Sequence, residues 1–101
     1  MTHIISYTSI NTFIHRYPEA KSSLDAWYQL VSKNNFSNFN ALKVIFPSAD
    51  VVKNNNGNNL TVFNIQGNNF RLIAAIHYNR NKLYIRDILT HAEYDKGKWK
   101  L

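Results

Sequence analysis

The run Leu60-Thr61-Val62-Phe63-Asn64-Ile65, the turn Gln66-Gly67-Asn68-Asn69 and the run Phe70-Arg71-Leu72-Ile73-Ala74-Ala75-Ile76-His77-Tyr78 decide the fold. Two segments rich in β-branched and aromatic residues flank a short polar turn that contains glycine. That pattern predicts an antiparallel hairpin. A third run, Lys82 to Leu89, follows Asn79-Arg80-Asn81 and predicts a second hairpin. A weaker strand, Asp50 to Lys53, precedes them.

Side chains alternate across a strand, so hairpin parity assigns faces. With even turns centred on Gly67-Asn68 and Arg80-Asn81, Asn64 faces Arg71 and Arg71 faces Thr90. Ile73, Ala75, His77, Tyr84, Arg86 and Ile88 then share a mixed face expected to lie open to a ligand. The opposite, more apolar face carries Phe63, Ile65, Phe70, Leu72, Leu83, Ile85, Asp87 and Leu89 and is expected to receive the helices. Asp87 is out of place there, because a buried unpaired carboxylate costs several kcal/mol, roughly. A cation or a place at the sheet's edge is expected for it.

The first half reads as helical. Thr8-Ser9 offers a cap, and Ile10, Phe13, Ile14 and Tyr17 follow at i, i+3, i+4 and i+7. Pro18 suits the first turn of a second helix, whose stripe is Ala20, Leu24, Trp27 and Val31. A third helix from Asn38 through Phe39, Leu42 and Ile45 is stopped by Pro47. A short strand over His3 to Tyr7 comes first. The fold class is α+β, with N-terminal helices on one face of a mainly antiparallel sheet. A chain of 101 residues is expected to make one domain.

Twelve Lys and Arg against six Asp and Glu leave a net charge of +6. On a small domain this favours a polyanionic partner. The absence of cysteine excludes disulfides, thiolate zinc sites and thiol nucleophiles. No apolar run approaches the ~20 residues of a membrane span, and no signal peptide is evident, so a soluble, cytoplasmic chain is expected. Eleven of the fifteen asparagines cluster in Asn34-Asn35, Asn54 to Asn59, Asn68-Asn69 and Asn79 to Asn81, and these clusters read as turns.

The densest group of chemically active side chains is Thr90-His91-Ala92-Glu93-Tyr94-Asp95-Lys96, just past the last strand. His91 can exchange a proton near neutral pH, Tyr94 can donate one, and Lys96 can neutralise a phosphate. Glu93 and Asp95 read as structural, capping a helix or holding His91 and Lys96. The His91–Asp95 spacing would suit a metal chelate, but no other ligand spacing supports it, and neither metal nor cofactor is expected. His77 reads as a half-buried strand residue, Trp27 as core, and Trp99 as either a frayed end or a nucleic-acid contact.

The string Val62 to Leu72, the Tyr84-Ile85-Arg86 strand and the Thr90 to Lys96 motif together resemble the HigB family of toxins. So do the segment from Phe13 to Tyr17 and Pro18, Ala26-Trp27-Tyr28 and the Tyr7-to-Pro47 spacing. HigB toxins belong to the RelE-like superfamily. The resemblance implies a RelE/ParE-like domain over residues 1–101 of a bacterial messenger-RNA endonuclease acting on the translating ribosome. It also implies a HigA-type helix-turn-helix antitoxin, and through it operator DNA. The implied chemistry is metal-free transesterification by the ribose 2′-hydroxyl. Carried onto this chain, Arg71 clamps the phosphate, and His91 and Tyr94 transfer protons. Lys53, Asn64, Arg86 and Lys96 are the expected RNA contacts. Two alternatives stand beside it: a ParE-like inhibitor of gyrase and a non-catalytic RNA-binding module.

Overall fold

The computed structural model describes residues 1–5 and 7–100, Tyr7 by its backbone alone. Strand β1 (His3–Ile5) is followed by helices α1 (Tyr7–Arg16), α2 (Lys21–Lys33) and α3 (Phe39–Ile45). Strands β2 (Asp50–Lys53), β3 (Asn59–Ile65), β4 (Phe70–His77) and β5 (Lys82–Thr90) come next. A short helix α4 (His91–Lys96) and a 3-10 turn at Lys98–Lys100 complete the described chain. The sheet order is β1-β5-β4-β3-β2. β1 runs parallel to β5, and the remaining neighbours are antiparallel. The protein is α+β, as the sequence pattern predicts.

The helical stripes explain how the first half packs. Ala20, Leu24, Trp27 and Val31 are all buried, with Ile10 and Phe13 beside them against Phe63, Ile65, Phe70, Leu72, Leu83 and Ile85 of the sheet. Phe13 meets Phe70 edge-on at 5.3 Å, and Trp27 meets Phe63 at 5.4 Å. Fully burying one such side chain contributes about 1.5–3 kcal/mol. Asn38 caps α3, its Oδ1 accepting the Ala41 N–H at 2.9 Å, and Pro47 lies just beyond the helix end. Pro18 opens a 3-10 turn, Pro18–Ala20, that leads into α2.

Helix α1 begins earlier than its sequence suggests. Thr8 and Ser9, expected as its cap, lie inside it, and the Thr8 carbonyl accepts the Thr12 hydroxyl at 3.0 Å. The strand expected over His3–Tyr7 ends at Ile5; its Ser6 falls outside the described residues. Asparagines do build turns. Buried Asn54 accepts the N–H groups of Asn56 and Asn58 at 3.0 and 2.9 Å, and Asn81 is left-handed at φ 53°.

The β3–β4 hairpin has the expected register, with Asn64 opposite Arg71. The β4–β5 hairpin closes one residue earlier than expected, with His77 opposite Lys82, which leaves its parity intact. Then β5 bulges. Ala74 pairs with Ile85 but Ile73 pairs with Asp87, so Arg86 is the extra residue. A bulge exchanges the faces of everything beyond it.

Three expectations fall with that exchange. Arg71 lies opposite Leu89 rather than Thr90. Asp87 and Leu89 turn to the outer face, away from α1–α3, while Ile88 packs on the helix-covered core. The Asp87 carboxylate therefore never enters that core. Nor is the outer face open along its length. Leu60, Val62 and Ile73 are buried there beneath Val52, Leu89, Tyr94 and Trp99. His77, expected to be half-buried, is exposed, with Tyr84 edge-on at 5.3 Å. Among the described residues no helix is long and apolar enough to cross a membrane.

Candidate active site

The end of the outer face is built by a hairpin tip and a helix start. The His91 N–H donates to the Asn69 carbonyl at 3.0 Å, which joins the first residue of α4 to the β3–β4 turn. Gln66 and Gly67 make that turn with φ values of 51° and 65°. Strand β4 then delivers Arg71 to the same end, half-buried on the outer face.

Arg71 is held on two sides. Its Nη1 donates to the carbonyls of Asn68 at 2.8 Å and Phe70 at 3.2 Å. Its guanidinium carbon lies 5.4 Å from the centre of the Tyr94 ring. A cation over a phenol face gains about 0.5–1 kcal/mol when exposed. The Nε and Nη2 edge makes no hydrogen bond among the described residues and is the part able to clasp an anion.

Helix α4 forms where it does because Thr90 and Glu93 make a capping box. The Thr90 hydroxyl accepts the Glu93 N–H at 3.2 Å, and Glu93 Oε1 accepts the Thr90 N–H at 3.0 Å. Gly97 ends it in a left-handed turn at φ 73°. A six-residue helix has too few internal bonds to stand alone, so the caps and the Asn69 bond fix it. On this helix His91 Nδ1 lies 3.2 Å from Asp95 Oδ2, an ion pair when the imidazole is protonated. The spacing that suits a chelate is taken up by this pair. Glu93 and Asp95 thus serve the structural roles expected of them.

The predicted site residues divide into two groups. Arg71 meets Tyr94, Asn64 lies opposite Arg71 with its Nδ2 donating to Asn68 Oδ1 at 3.4 Å, and His91 reaches the same turn through its backbone N–H. Lys96 is exposed at the far end of α4, beside a groove shared with Asp87, Leu89 and Trp99. Arg86 is exposed at the bulge, about 10 Å along the strand from Leu89. Lys53 lies outside the cluster. It pairs with Asn59, about 17 Å along β3 from Asn64.

Two further groups shape the site. Asp87 is mostly exposed, yet partial burial pushes its carboxyl above the ordinary range; the Arg86 charge opposes this and the Glu93 charge adds to it. Trp99 is half-buried and held in place rather than frayed. Its ring stacks on Tyr94 at 5.1 Å and 12°, and its indole N–H donates to the Tyr94 carbonyl at 2.9 Å. The carbonyls of Asn68 and Asn69 are backbone groups in a turn, which no side-chain motif announces. The signal for Trp99 was the apolar Leu60, Val62 and Ile73 on the outer face, which need a cover.

Residues 20–97 match the model of the HigB toxin family, the RelE-like toxic component of a toxin–antitoxin system. The chain belongs to the HigB toxin family. The mRNA interferase toxin HigB of Escherichia coli K12 is 34% identical over 93 residues, covering 92% of this chain and 88% of that protein. The mRNA interferase HigB of Shigella flexneri has the same identity and coverage. That of Escherichia coli O6:H1 is 32% identical over 94 residues, covering 93% and 89%. A HigB toxin is one half of a pair, so an antitoxin is its counterpart. The HigB match includes Arg71, His91, Tyr94 and Gly97 and stops short of Trp99.

Proposed function

We propose that this HigB-family chain is a metal-independent endoribonuclease, the toxin of a type II toxin–antitoxin pair. Residues 1–101 form one RelE/ParE-like domain that cuts messenger RNA on the translating ribosome in the bacterial cytoplasm. A HigA-type helix-turn-helix antitoxin restrains it and carries the complex to operator DNA. The observation that carries the reading is the Arg71 guanidinium against the Tyr94 ring, where the β3–β4 turn binds the backbone of His91 at the start of α4. The mRNA interferase names of its relatives and the +6 charge agree with it.

The chemistry is displacement at phosphorus. Asp95 orients the His91 ring through Nδ1 and leaves Nε2 to take the 2′-hydroxyl proton. The 2′-oxygen attacks the adjacent phosphorus. Arg71 holds the equatorial oxygens through its Nε and Nη2 edge, where negative charge grows in the transition state. The bond to the 5′-oxygen breaks and Tyr94 supplies that oxygen with a proton. The products are a 2′,3′-cyclic phosphate and a 5′-hydroxyl. Asn64 lies beside the clamp to meet a nucleotide, and Lys96 and Arg86 neutralise phosphates further along. Lys53 serves only an RNA long enough to reach the other end of the sheet.

The test is cleavage of a defined oligoribonucleotide in excess EDTA by the purified chain, with the new ends identified. Cyclic phosphate termini, lost in Arg71→Ala and His91→Ala proteins that remain folded, support the reading. Full activity in both variants, or a strict need for added metal, overturns the assignment. DNA breaks without RNA cuts in induced cells point instead to gyrase. Binding with steep salt dependence and no scission points to an RNA-binding module.

A further inference from the structure

Beyond the proposed reaction, and resting on it, we infer that Trp99 is a positioning residue. It sets the geometry of Tyr94, and through that ring of the Arg71 guanidinium, from outside the stretch matched by the family model.

The backbone reverses at left-handed Gly97 and brings the 3-10 turn Lys98–Lys100 back over the outer face. The Tyr94 carbonyl then accepts two donors, the Gly97 N–H at 3.1 Å and the Trp99 indole N–H at 2.9 Å. The two rings are nearly parallel, and the Lys100 ammonium lies 5.5 Å from the indole centre. At its far end the turn is anchored. The Asn55 N–H donates to the Lys100 carbonyl at 2.8 Å, tying the tail to the β2–β3 turn. Beneath lie Leu60, Val62 and Ile73, which leave the indole a fixed apolar seat.

The consequence is mechanical. Helix α4 has no buried residue of its own. Tyr94 is held by the Arg71 contact on the side of the proposed chemistry and by Trp99 on the side of the fold. Without the indole, the phenol keeps its place on the helix but loses the surface that fixes its ring. Catalytic groups held within about half an ångström of the productive geometry lose rate steeply when loosened.

The experiment is single-turnover cleavage of one oligoribonucleotide by wild type, Trp99→Ala, Trp99→Phe, Tyr94→Phe and the Trp99→Ala/Tyr94→Phe pair. RNA affinity and thermal unfolding are measured alongside. Trp99→Ala is expected to slow the chemical step by about tenfold or more while RNA affinity changes by less than about threefold. Trp99→Phe keeps the stacked ring and is expected to recover most of the rate. In the Tyr94→Phe background, Trp99→Ala is expected to add little, because coupled residues are not additive. Wild-type rate in Trp99→Ala, full additivity in the double variant, or a rate loss that follows fraction unfolded overturns the inference and leaves the nuclease reading standing. If Trp99→Ala does not fold, Trp99→Leu, which fills the apolar seat without a ring to stack, and its pair with Tyr94→Phe supply the same cycle. An inactive wild-type chain removes both the nuclease reading and this inference.

Discussion

Arg71 is the sharpest point at which to test the site. Its Nη1 is already committed to the Asn68 and Phe70 carbonyls, so only the Nε and Nη2 edge remains to grip a phosphate. Two charge-assisted bonds of about 1.5–3 kcal/mol each then disappear in Arg71→Ala, about 3–6 kcal/mol in all. At about 1.4 kcal/mol per tenfold, the cleavage rate should fall by about 10²–10⁴. Arg71→Lys keeps the charge but loses the fork, and should retain one bond and lie between wild type and Arg71→Ala. Stability should change little, because the lost contacts are turn carbonyls near the surface and one ring face. The assay is single-turnover cleavage of an oligoribonucleotide, with circular dichroism melting of each variant and added guanidinium ion as a rescue of Arg71→Ala. A folded Arg71→Ala protein within about threefold of the wild-type rate would refute the clamp, since even one lost charge-assisted bond is worth more than that.

Other outcomes follow from the rest of the structure. The raised Asp87 carboxyl destabilises the fold in its ionised form, so Asp87→Asn should stabilise the protein at neutral pH. The sign is that of a folded-state value lifted above the unfolded one: the gain should shrink as pH falls through the folded value and vanish below the unfolded one. Urea titrations from pH 7 to pH 3 measure it. Thr90→Ala removes the capping box and should loosen α4 by about 1 kcal/mol, with Thr90→Ser restoring it, read as hydrogen exchange of the α4 amides against those of β4. Leu72→Ala, at a site with no exposed surface, should cost about 2–5 kcal/mol in chemical denaturation. Val44→Ala, at 78% exposure, should stay within about 0.5 kcal/mol.

Most elements were legible in the sequence because their signals are local. The Ala20, Leu24, Trp27 and Val31 stripe, the helix start near Asn38 and the Gly67-Asn68 turn each act within a few residues. The β3 to β4 register followed from turn length alone. What the alternation could not carry was the bulge at Arg86. An extra residue leaves the apolar pattern of β5 readable in either phase, and only the demand that Asp87 avoid the core hinted at the flip. The site was visible as a cluster in one short motif, with Arg71 brought to it by an expected opposition to Thr90 that the bulge moves to Leu89. Its construction was not visible, because it rests on backbone carbonyls of Asn68 and Asn69 and on a tail tryptophan that packs only once the sheet exists. Lys53 shows the reverse: its charge is legible in the sequence, whereas its distance from Asn64 emerges only from the register of β2 and β3.

The placement of β1 beside β5 has a consequence for the newborn polypeptide. Ile4 pairs with Leu83, so β1 has no neighbour until the last strand of the sheet exists. Closing so long a loop is slow and is rewarded only at completion. A nascent chain stalled before β5 is left with unsatisfied strand edges and a bare apolar face, and no element that carries His91 has yet been made. β1 and the candidate site therefore assemble together, because the strand that pairs with Ile4 runs straight into the helix that carries His91.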